Sequence, residues 1–291
     1  MRSGRGGAAQ TDRAKSLRGR EDRRVYPGTS QGRRLAGIVR GGDARWQGRA
    51  GQGLWRVVRR DPHAGHLETR VAIASVTKQF TCACALLLAE DGKLSVNDKV
   101  ANYFPDLTRA HDITLLDLMP HVSGYPDYYP LDFVDRDMAK TIATDDLIRR
   151  FARRPLDFEP GTKYSYSNTG YIILGRVVEM AGGESFGAFL EGRILQPLGM
   201  AHTTYEPISS SEEYARGYAR PTLGAWEAAI PEGRRWTGAA GGICTTALDL
   251  LKWDLGLMEG PVLRPESFVV LTTQRKLTDG KLTAYGCGLG V

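Results

Sequence analysis

The sequence predicts an α/β protein in which a folded region follows a segment rich in arginine and glycine. The first 70 residues hold 17 basic and six acidic side chains, a balance of +11; because the whole chain carries +6, residues 71–291 carry −5. About 29% of the first 70 residues are hydrophobic, against about 46% of the rest, which is enough for a sizeable core. From about residue 67 onward, apolar runs with regular spacing alternate with turn signals.

The folded region is predicted to begin with an apolar run that leads into a long helix. The run is Val71–Ala74. The helix is expected from about Ser75 to the turn at Asp91-Gly92, because apolar residues recur there at i, i+4, i+7 and i+8. Those residues are Phe80, Cys84, Leu87 and Leu88.

Three further helices and a terminal strand are predicted farther along the chain. Apolar residues at helical spacing favour a helix over about 168–181, where a glycine pair can supply the stop. Ser185 can cap the next helix. Another is expected over Ala247–Leu257, and Tyr285–Val291 has the pattern of a strand. The inward residues of the last helix are predicted to be Leu248, Leu251 and Leu255.

Several classes of protein are excluded by simple counts. No apolar run approaches the roughly 20 residues of a membrane span, so none is expected. The chain as given has no export signal; the location is not predicted, with the cytoplasm as the default. The four cysteines are too few and scattered for a disulfide framework, and Cys82 and Cys84 are expected to be small buried side chains. His63 and His66 lie three apart without a third ligand nearby, so no metal site is expected.

Residues 1–66 are interpreted as a poorly ordered or miscalled segment. Their composition buries little surface, although Gly37–Arg40 and Leu54–Arg59 could form weak strands. Arginine clusters neutralise phosphates, so binding of nucleic acid by this arm stays open as an alternative. Few aromatic residues interleave the arginines, and nucleic acid is therefore not the expected partner.

A serine and a lysine three residues apart stand at the start of the first long helix. In Ser75-Val76-Thr77-Lys78 the spacing places both side chains on one helix face. A serine hydroxyl becomes a good nucleophile when a neighbouring base takes its proton, and a buried lysine can be that base. Alone, the spacing would equally suit a helix cap followed by a solvated lysine.

A second motif combines a phenol and a carboxamide. After the turn at Pro160-Gly161, Tyr166 and Asn168 lie two apart in an extended stretch and therefore point to the same side. A phenol can relay a proton, and an amide can hold a substrate carbonyl. The stretch could also be an aromatic turn with an asparagine cap.

Together the two motifs resemble those of the penicillin-recognising serine hydrolases, in the branch of class C β-lactamases, D-alanyl-D-alanine carboxypeptidases and related esterases. The resemblance covers about residues 68–291, and its phrases occur in family order. These phrases are Ile73–Phe80, Glu90–Ser95, His121–Gly124, Phe158–Gly161, Asn168–Tyr171, Pro197–Met200 and Gly241–Thr246.

The resemblance implies a fold and a division into domains. The fold is β-lactamase/transpeptidase-like: an antiparallel sheet flanked by helices, with a helical subdomain at about 93–225. The hydrolase domain is expected over residues 67–291, with an incomplete sheet.

The resemblance also implies roles for individual residues. Ser75 would be the acylated nucleophile, Lys78 its activating partner, Tyr166 the proton carrier to the leaving group, and Asn168 a substrate-binding amide. The backbone N–H of Ser75 would donate to the oxyanion. Substrates would be β-lactams, D-alanyl peptides or small esters, without a metal or organic cofactor.

Aromatic residues after the His121–Gly124 phrase could line the cleft. Tyr125 and Tyr128 are predicted to contact the acyl group of the substrate, with ordinary packing of the helical subdomain as the alternative. The oligomeric state is not predicted.

The third motif of the family, a Lys-Thr-Gly or His-x-Gly triad on a sheet strand, is missing where it should stand. Trp236-Thr237-Gly238 is a weak substitute, because it precedes the Gly241–Thr246 phrase. The triad is therefore expected beyond Val291, in a chain that is short at its C-terminus. The alternative function is a non-catalytic relative that binds acyl or peptidoglycan fragments, or an inactive fragment.

Overall fold

The computed structural model describes residues 55–56, 64–65, 68–129, 136–207, 214–220 and 224–291. In the arginine- and glycine-rich segment it describes one antiparallel pair, β1 (Trp55–Arg56) with β2 (Ala64–Gly65). Strand β1 lies within the weak strand predicted at Leu54–Arg59. The predictions for Gly37–Arg40 and for the histidine pair lie outside the described residues.

Helices and short antiparallel strands together make up the described part of the chain, as the α/β prediction requires. The α-helices are α1 (Thr77–Glu90), α2 (Leu115–Leu118), α3 (Thr144–Ala152), α4 (Asn168–Gly182), α5 (Phe186–Leu190), α6 (Gly238–Gly241), α7 (Ala247–Met258) and α8 (Pro265–Thr272). The strands β3 (Val71–Ala72), β7 (Ile243–Thr245) and β4 (Thr204–Tyr205) form one sheet in that order, and β5 (Tyr218–Ala219) pairs with β6 (Glu227–Ala228).

Helix α1 is the central helix of the core. A 3-10 turn at Ala74–Val76 leads into it, and it ends at the predicted place, with Asp91 as its C-cap and Gly92 in the left-handed region (φ 71°). Most of its side chains are buried, on all sides of the helix. A helix that is apolar around its whole circumference belongs inside a protein, and so its single charged residue in the first turn, Lys78, is carried into the core.

Helix α4 packs on α1 and brings a third helix close to both. It has the predicted bounds, and Gly183 closes it in the left-handed conformation (φ 77°). Gly175 permits a close approach to α6: a Cβ at this position would lie 2.2 Å from the Cβ of Ala239. This approach brings the carbonyls of α6 to α1, where Thr81 donates a hydrogen bond to the carbonyl of Ala239 (2.6 Å).

Helix α5 begins as predicted, because the Ser185 hydroxyl accepts a hydrogen bond from Ala188 N (3.2 Å). After Leu190 the chain continues as a π-helical turn, Glu191–Leu195. The apolar face of this continuous segment covers one end of the core through Phe186, Phe189, Leu190, Ile194 and Leu195, which are all buried.

Helix α7 has nearly the predicted bounds but a different inward face. Leu248, predicted to face inward, is 42% exposed, and the fully buried positions are Asp249, Trp253 and Gly256. Trp253 stacks on Phe80 of α1, with ring centroids 3.9 Å apart. Leucines occur on several sides of this helix, so their spacing could not select a face, whereas the large indole ring does.

The prediction of a strand over Tyr285–Val291 is wrong. Tyr285 pairs with Gly290 in an isolated antiparallel bridge, so the segment turns back on itself. Gly288 lies in this turn with φ 83°, and a Cβ there would come within 2.7 Å of the carbonyl carbon of Lys78. The three glycines of the segment permit a tight turn against α1 that apolar alternation alone does not reveal.

Candidate active site

Ser75 lies at the exposed end of the central helix. It is in the 3-10 turn between β3 and α1, and its side chain faces solvent. The preceding residue, Ala74, has φ 45°, an uncommon value for a residue with a Cβ. Strained backbone of this kind persists where the surrounding structure enforces it. The N–H groups of a first helical turn have no partner within the helix, so that of Ser75 can donate to a ligand.

The Lys78 amine is fully buried and donates to three uncharged oxygens. Its Nζ lies 3.1 Å from Ser75 Oγ, 2.7 Å from Asn168 Oδ1 and 2.8 Å from the carbonyl oxygen of Ala240. An ammonium group has three N–H donors, and each has an acceptor here. None of the acceptors is a carboxylate, so the burial of the charge is not offset by a directly bonded acid.

This environment lowers the basicity of Lys78 markedly. Burial lowers the pKa of Lys78 from 10.5 to about 7, because the charged form loses its hydration, while the nearby Asp127 carboxylate opposes the shift. An amine with a pKa near 7 is partly neutral at neutral pH and can accept a proton. Lys78 is therefore poised to take the proton of the Ser75 hydroxyl.

Tyr166 is the second group that contacts the Ser75 hydroxyl. Its hydroxyl donates a hydrogen bond to Ser75 Oγ over 2.5 Å, and the Lys78 Nζ lies 4.7 Å from the centre of its ring. Burial raises the pKa of Tyr166, so its phenol keeps its proton at neutral pH. At neutral pH the neutral Lys78 amine is therefore available as a base, and Tyr166 carries a proton that a leaving group can take.

Asn168 joins Lys78 to an acid that sequence reasoning missed. The Asn168 carboxamide accepts from Lys78 through Oδ1, and its Nδ2 donates to Asp127 Oδ1 (3.2 Å) and Oδ2 (3.1 Å). Both ends of the amide are thus occupied within the protein. Its predicted role in binding substrate stays a prediction and requires these bonds to exchange. Asp127 stands in the loop whose tyrosines the sequence singled out, and an acid among those tyrosines was the available signal.

His121 was noticed only as part of a family phrase, and the structure places it behind Tyr166. It is 1% exposed, has φ 61°, and its Nδ1 accepts a hydrogen bond from Ser167 N (3.1 Å). Burial lowers the pKa of His121 to about 3, with the Lys78 charge as a further cause, so the imidazole is neutral. Its ring lies 4.3 Å from that of Tyr166, centroid to centroid, and limits the positions open to the phenol.

The two tyrosines predicted to contact substrate lie in the core. Tyr125 is 2% exposed and Tyr128 is 7% exposed, and the Tyr128 hydroxyl donates to the carbonyl of Trp236. These contacts are those of the alternative, packing of the helical subdomain. Their role as a wall for the acyl group stays a prediction.

Trp236-Thr237-Gly238, the substitute considered for the third motif, does not form a sheet strand. Thr237 is the N-cap of α6, and Trp236 is 4% exposed, with its indole N–H donating to the carbonyl of Lys140 (2.7 Å). The segment contributes to the site indirectly, through the Ala240 carbonyl at the end of the helix that it begins.

The described residues contain neither a cluster of metal ligands nor a membrane-spanning helix. No group of three or more His, Cys, Asp or Glu side chains in these residues could hold a metal ion. No helix among them is long and apolar enough to cross a membrane.

Comparison with known families gives a match over most of the chain. The family model described as Beta-lactamase matches residues 17–290. The match includes residues 17–66, which lie before the predicted start of the hydrolase domain at residue 67.

Similar proteins point in the same direction. A putative penicillin-binding protein, PbpX, of Bacillus subtilis is 28% identical over 224 residues, 77% of this chain and 54% of the relative. A D-aminopeptidase of Brucella anthropi is 30% identical over 224 residues, 76% of this chain and 42% of the relative. A solved penicillin-binding protein from Bacillus halodurans has a TM-score of 0.70 and 28% identity, covering 81% of this chain and 74% of that one. The chain spans about half the length of the curated relatives it matches.

Proposed function

The chain belongs to the β-lactamase family, with the β-lactamase/transpeptidase-like fold of that family, and from this premise we propose that it is a serine hydrolase that acts through an acyl-enzyme. Ser75 is the proposed nucleophile, Lys78 its base and Tyr166 the acid for the leaving group. The proposed substrates contain an amide or ester bond: a β-lactam, a D-alanyl peptide or a small ester. Similarity to proteins named as penicillin-binding protein and D-aminopeptidase supports this class of substrate.

One observation carries the proposal. The exposed Ser75 Oγ accepts hydrogen bonds from a buried amine at 3.1 Å and from a protonated phenol at 2.5 Å. The two groups differ in the direction of their pKa shifts: that of Lys78 is lowered to about 7 and that of Tyr166 is raised. A nucleophile flanked by one base and one acid has what acyl transfer needs.

In the proposed reaction, Ser75 Oγ attacks the acyl carbon while its proton passes to the neutral Lys78 amine. The bond from the acyl carbon to the leaving nitrogen or oxygen then breaks, and the leaving atom takes the proton of Tyr166. The Lys78 ammonium returns a proton to the tyrosinate. Water next gives a proton to Lys78 and attacks the ester, and that proton returns to Ser75 as the acid is released. Protons balance over the cycle, and one water is consumed.

The substrate carbonyl must also be held while charge develops on its oxygen. The backbone N–H of Ser75, in the first helical turn, is the donor that we assign to this oxyanion. Removal of one such donor typically costs about 10²–10³-fold in rate, so this group contributes strongly even without a side chain.

The direct test is covalent labelling. We expect burst release of product from a chromogenic ester or cephalosporin, together with a mass increase equal to the acyl group on the peptide that contains Ser75. The Ser75→Ala variant should show neither. A Ser75→Ala variant as active as the parent would refute the proposal. Thermal stabilisation by the compound without turnover or adduct would instead support the non-catalytic binding alternative.

A further inference from the structure

Asp127, in a neighbouring loop, accepts hydrogen bonds from the first residue of helix α4. Its Oδ1 accepts a hydrogen bond from the backbone N of Asn168 (2.9 Å), and its two carboxylate oxygens accept from the Asn168 Nδ2 at 3.2 and 3.1 Å. The next residue of the helix, Thr169, holds the same loop, because its hydroxyl donates to the carbonyl of Pro126 (2.6 Å). Loop and helix start are thus joined by several bonds, and three of them end on one carboxylate.

These hydrogen bonds fix the orientation of the Asn168 carboxamide. A carboxylate only accepts hydrogen bonds, so the side of the amide that faces Asp127 must be the NH₂ group. The oxygen then faces Lys78, where the 2.7 Å contact is made. A rotated amide would set its oxygen against the carboxylate and its NH₂ against the N–H groups of Lys78, which loses bonds at both ends.

The fixed amide in turn aims the Lys78 amine. Two of its tetrahedral positions are taken by N–H groups that donate to Asn168 Oδ1 and to the Ala240 carbonyl. The third position is directed at Ser75 Oγ, 3.1 Å away. In the neutral amine that position is the lone pair, which is the part of the base that must meet the serine proton.

Asp127 also acts on the Lys78 amine through its charge. Burial raises the pKa values of the Cys82 thiol and of the Tyr166 and Tyr171 phenols and lowers that of His121, so these four are neutral near pH 7. The titratable groups that act on Lys78 or face it are Asp127, Cys82, His121, Tyr166 and Tyr171. Of these, the Asp127 carboxylate is the charged one, and it favours the protonated amine.

We propose that Asp127 is a positioning residue: by holding the Asn168 carboxamide it directs the free position of the Lys78 amine at Ser75. The inference rests on the proposed acyl-transfer function. The negative charge of Asp127 has a second consequence. It favours the protonated Lys78 amine and so opposes the loss of basicity that burial causes. Orientation and charge can be separated by experiment.

The test compares Asp127→Asn, Asp127→Glu and the parent in the acylation rate between pH 5 and 9. Asp127→Asn keeps an acceptor but loses the charge and the fixed NH₂ orientation; a loss of about 10- to 100-fold in the limiting rate is expected from misaimed groups. The acid limb of the pH–rate profile of this variant should move to lower pH, because the charged Lys78 amine loses a stabilising partner. Asp127→Glu should keep the acid limb of the parent and recover part of the rate. Asp146→Asn, which removes a carboxylate from an exposed pair with Arg149, is the matched control and should behave as the parent.

A purely structural role predicts the opposite shift. Loosening of the loop would admit water to Lys78 and move the acid limb to higher pH, toward the ordinary range of lysine. That result, or an unchanged rate and profile in Asp127→Asn, would overturn the inference.

A second readout does not depend on activity. In protein labelled with ¹³C-lysine, the ε-carbon of Lys78, assigned by its loss in Lys78→Arg, reports the titration of the amine. We expect its midpoint to fall in Asp127→Asn and to stay in place in Asp146→Asn. If the parent forms no acyl-enzyme, the proposed function fails, and this titration still decides whether Asp127 acts on Lys78: an unchanged or raised midpoint contradicts it.

Discussion

Two lysines of this chain each lie three residues after a polar partner but differ in their surroundings. Lys78 lies three residues after Ser75 and contacts its hydroxyl, and Lys252 lies three residues after Asp249 and contacts its carboxylate (2.7 Å). The Lys252 side chain is 43% exposed, whereas Lys78 is fully buried among uncharged oxygens. The spacing therefore only brings two groups together, and burial without a bonded carboxylate is what turns an amine into a base near neutral pH.

Exchange of each lysine for methionine gives the largest expected contrast. Lys78→Met removes the proposed base, and the acylation rate should fall by about 10²–10⁴-fold, the usual contribution of acid–base groups. Lys252→Met should leave the rate within about threefold of the parent, because the Lys252 amine contacts Asp249 and the carbonyl of Gly199 and none of the groups around Ser75. Stopped-flow measurement of the burst with a chromogenic ester checks both. Equal losses in the two variants would contradict a specific role for Lys78 as the base.

A smaller loss is expected when the acid is removed and the base is left in place. Tyr166→Phe deletes the hydroxyl that donates to Ser75 Oγ, and the acylation rate should fall by about 10²-fold. The loss should shrink for esters whose leaving group is already acidic, because such a group needs no proton. Tyr103→Phe, which removes a phenol bonded to Asp98, is the control. An equal loss for good and poor leaving groups would argue against a proton-donor role.

The lowered pKa of Lys78 also predicts how the acylation rate depends on pH. Acylation requires neutral Lys78, whose pKa is lowered to about 7, so the rate should rise with pH up to a midpoint near 7 and then level off. Below the midpoint it should fall about tenfold for each pH unit, as for a single essential base. Lys252→Met should keep this profile. A rate that does not change between pH 5 and 8 would remove Lys78 from the role of base.

Stability should show the same contrast with a smaller signal. The folded chain holds Lys78 with a pKa near 7, below the 10.5 of the free side chain, so between these values the unfolded state binds more protons and stability rises with pH. The shift corresponds to about 5 kcal/mol of destabilisation below pH 7. Lys78→Met removes this cost but also loses the hydrogen bonds of the amine, which reduces the gain in stability. Lys78→Met should therefore gain in melting temperature over the parent at pH 6, and the gain should shrink toward pH 10. A gain in melting temperature that does not change between pH 6 and pH 10 would contradict the assignment.

The sequence was sufficient for the central helices and for the nucleophile with its neighbours. Spacing located α1 and α4 within a residue or two, because their apolar periodicity is long and their ends carry glycine signals. Spacing paired Ser75 with Lys78, and the resemblance to the serine hydrolases added Tyr166; the structure places these three in contact.

What the sequence could not supply depends on contacts between distant segments. Asp127 meets Asn168 across 41 residues, and the Ala240 carbonyl meets Lys78 across 162, distances at which local spacing carries no information. The inward face of α7 was missed because leucines surround that helix, and the turn at Tyr285–Val291 was missed because its fold depends on packing against α1. Burial of Tyr125 and Tyr128 likewise follows from how a loop closes over the core.

Whether Lys78 can act as the base for Ser75 is best decided by titrating its amine in the parent protein. The ε-carbon resonance of ¹³C-labelled Lys78, followed from pH 5 to 11 and assigned by its loss in Lys78→Arg, reports the amine without any substrate. A buried amine among uncharged acceptors should titrate near pH 7. A Lys78 midpoint at 10 or above would contradict the account, because the amine could not then serve as the base for Ser75.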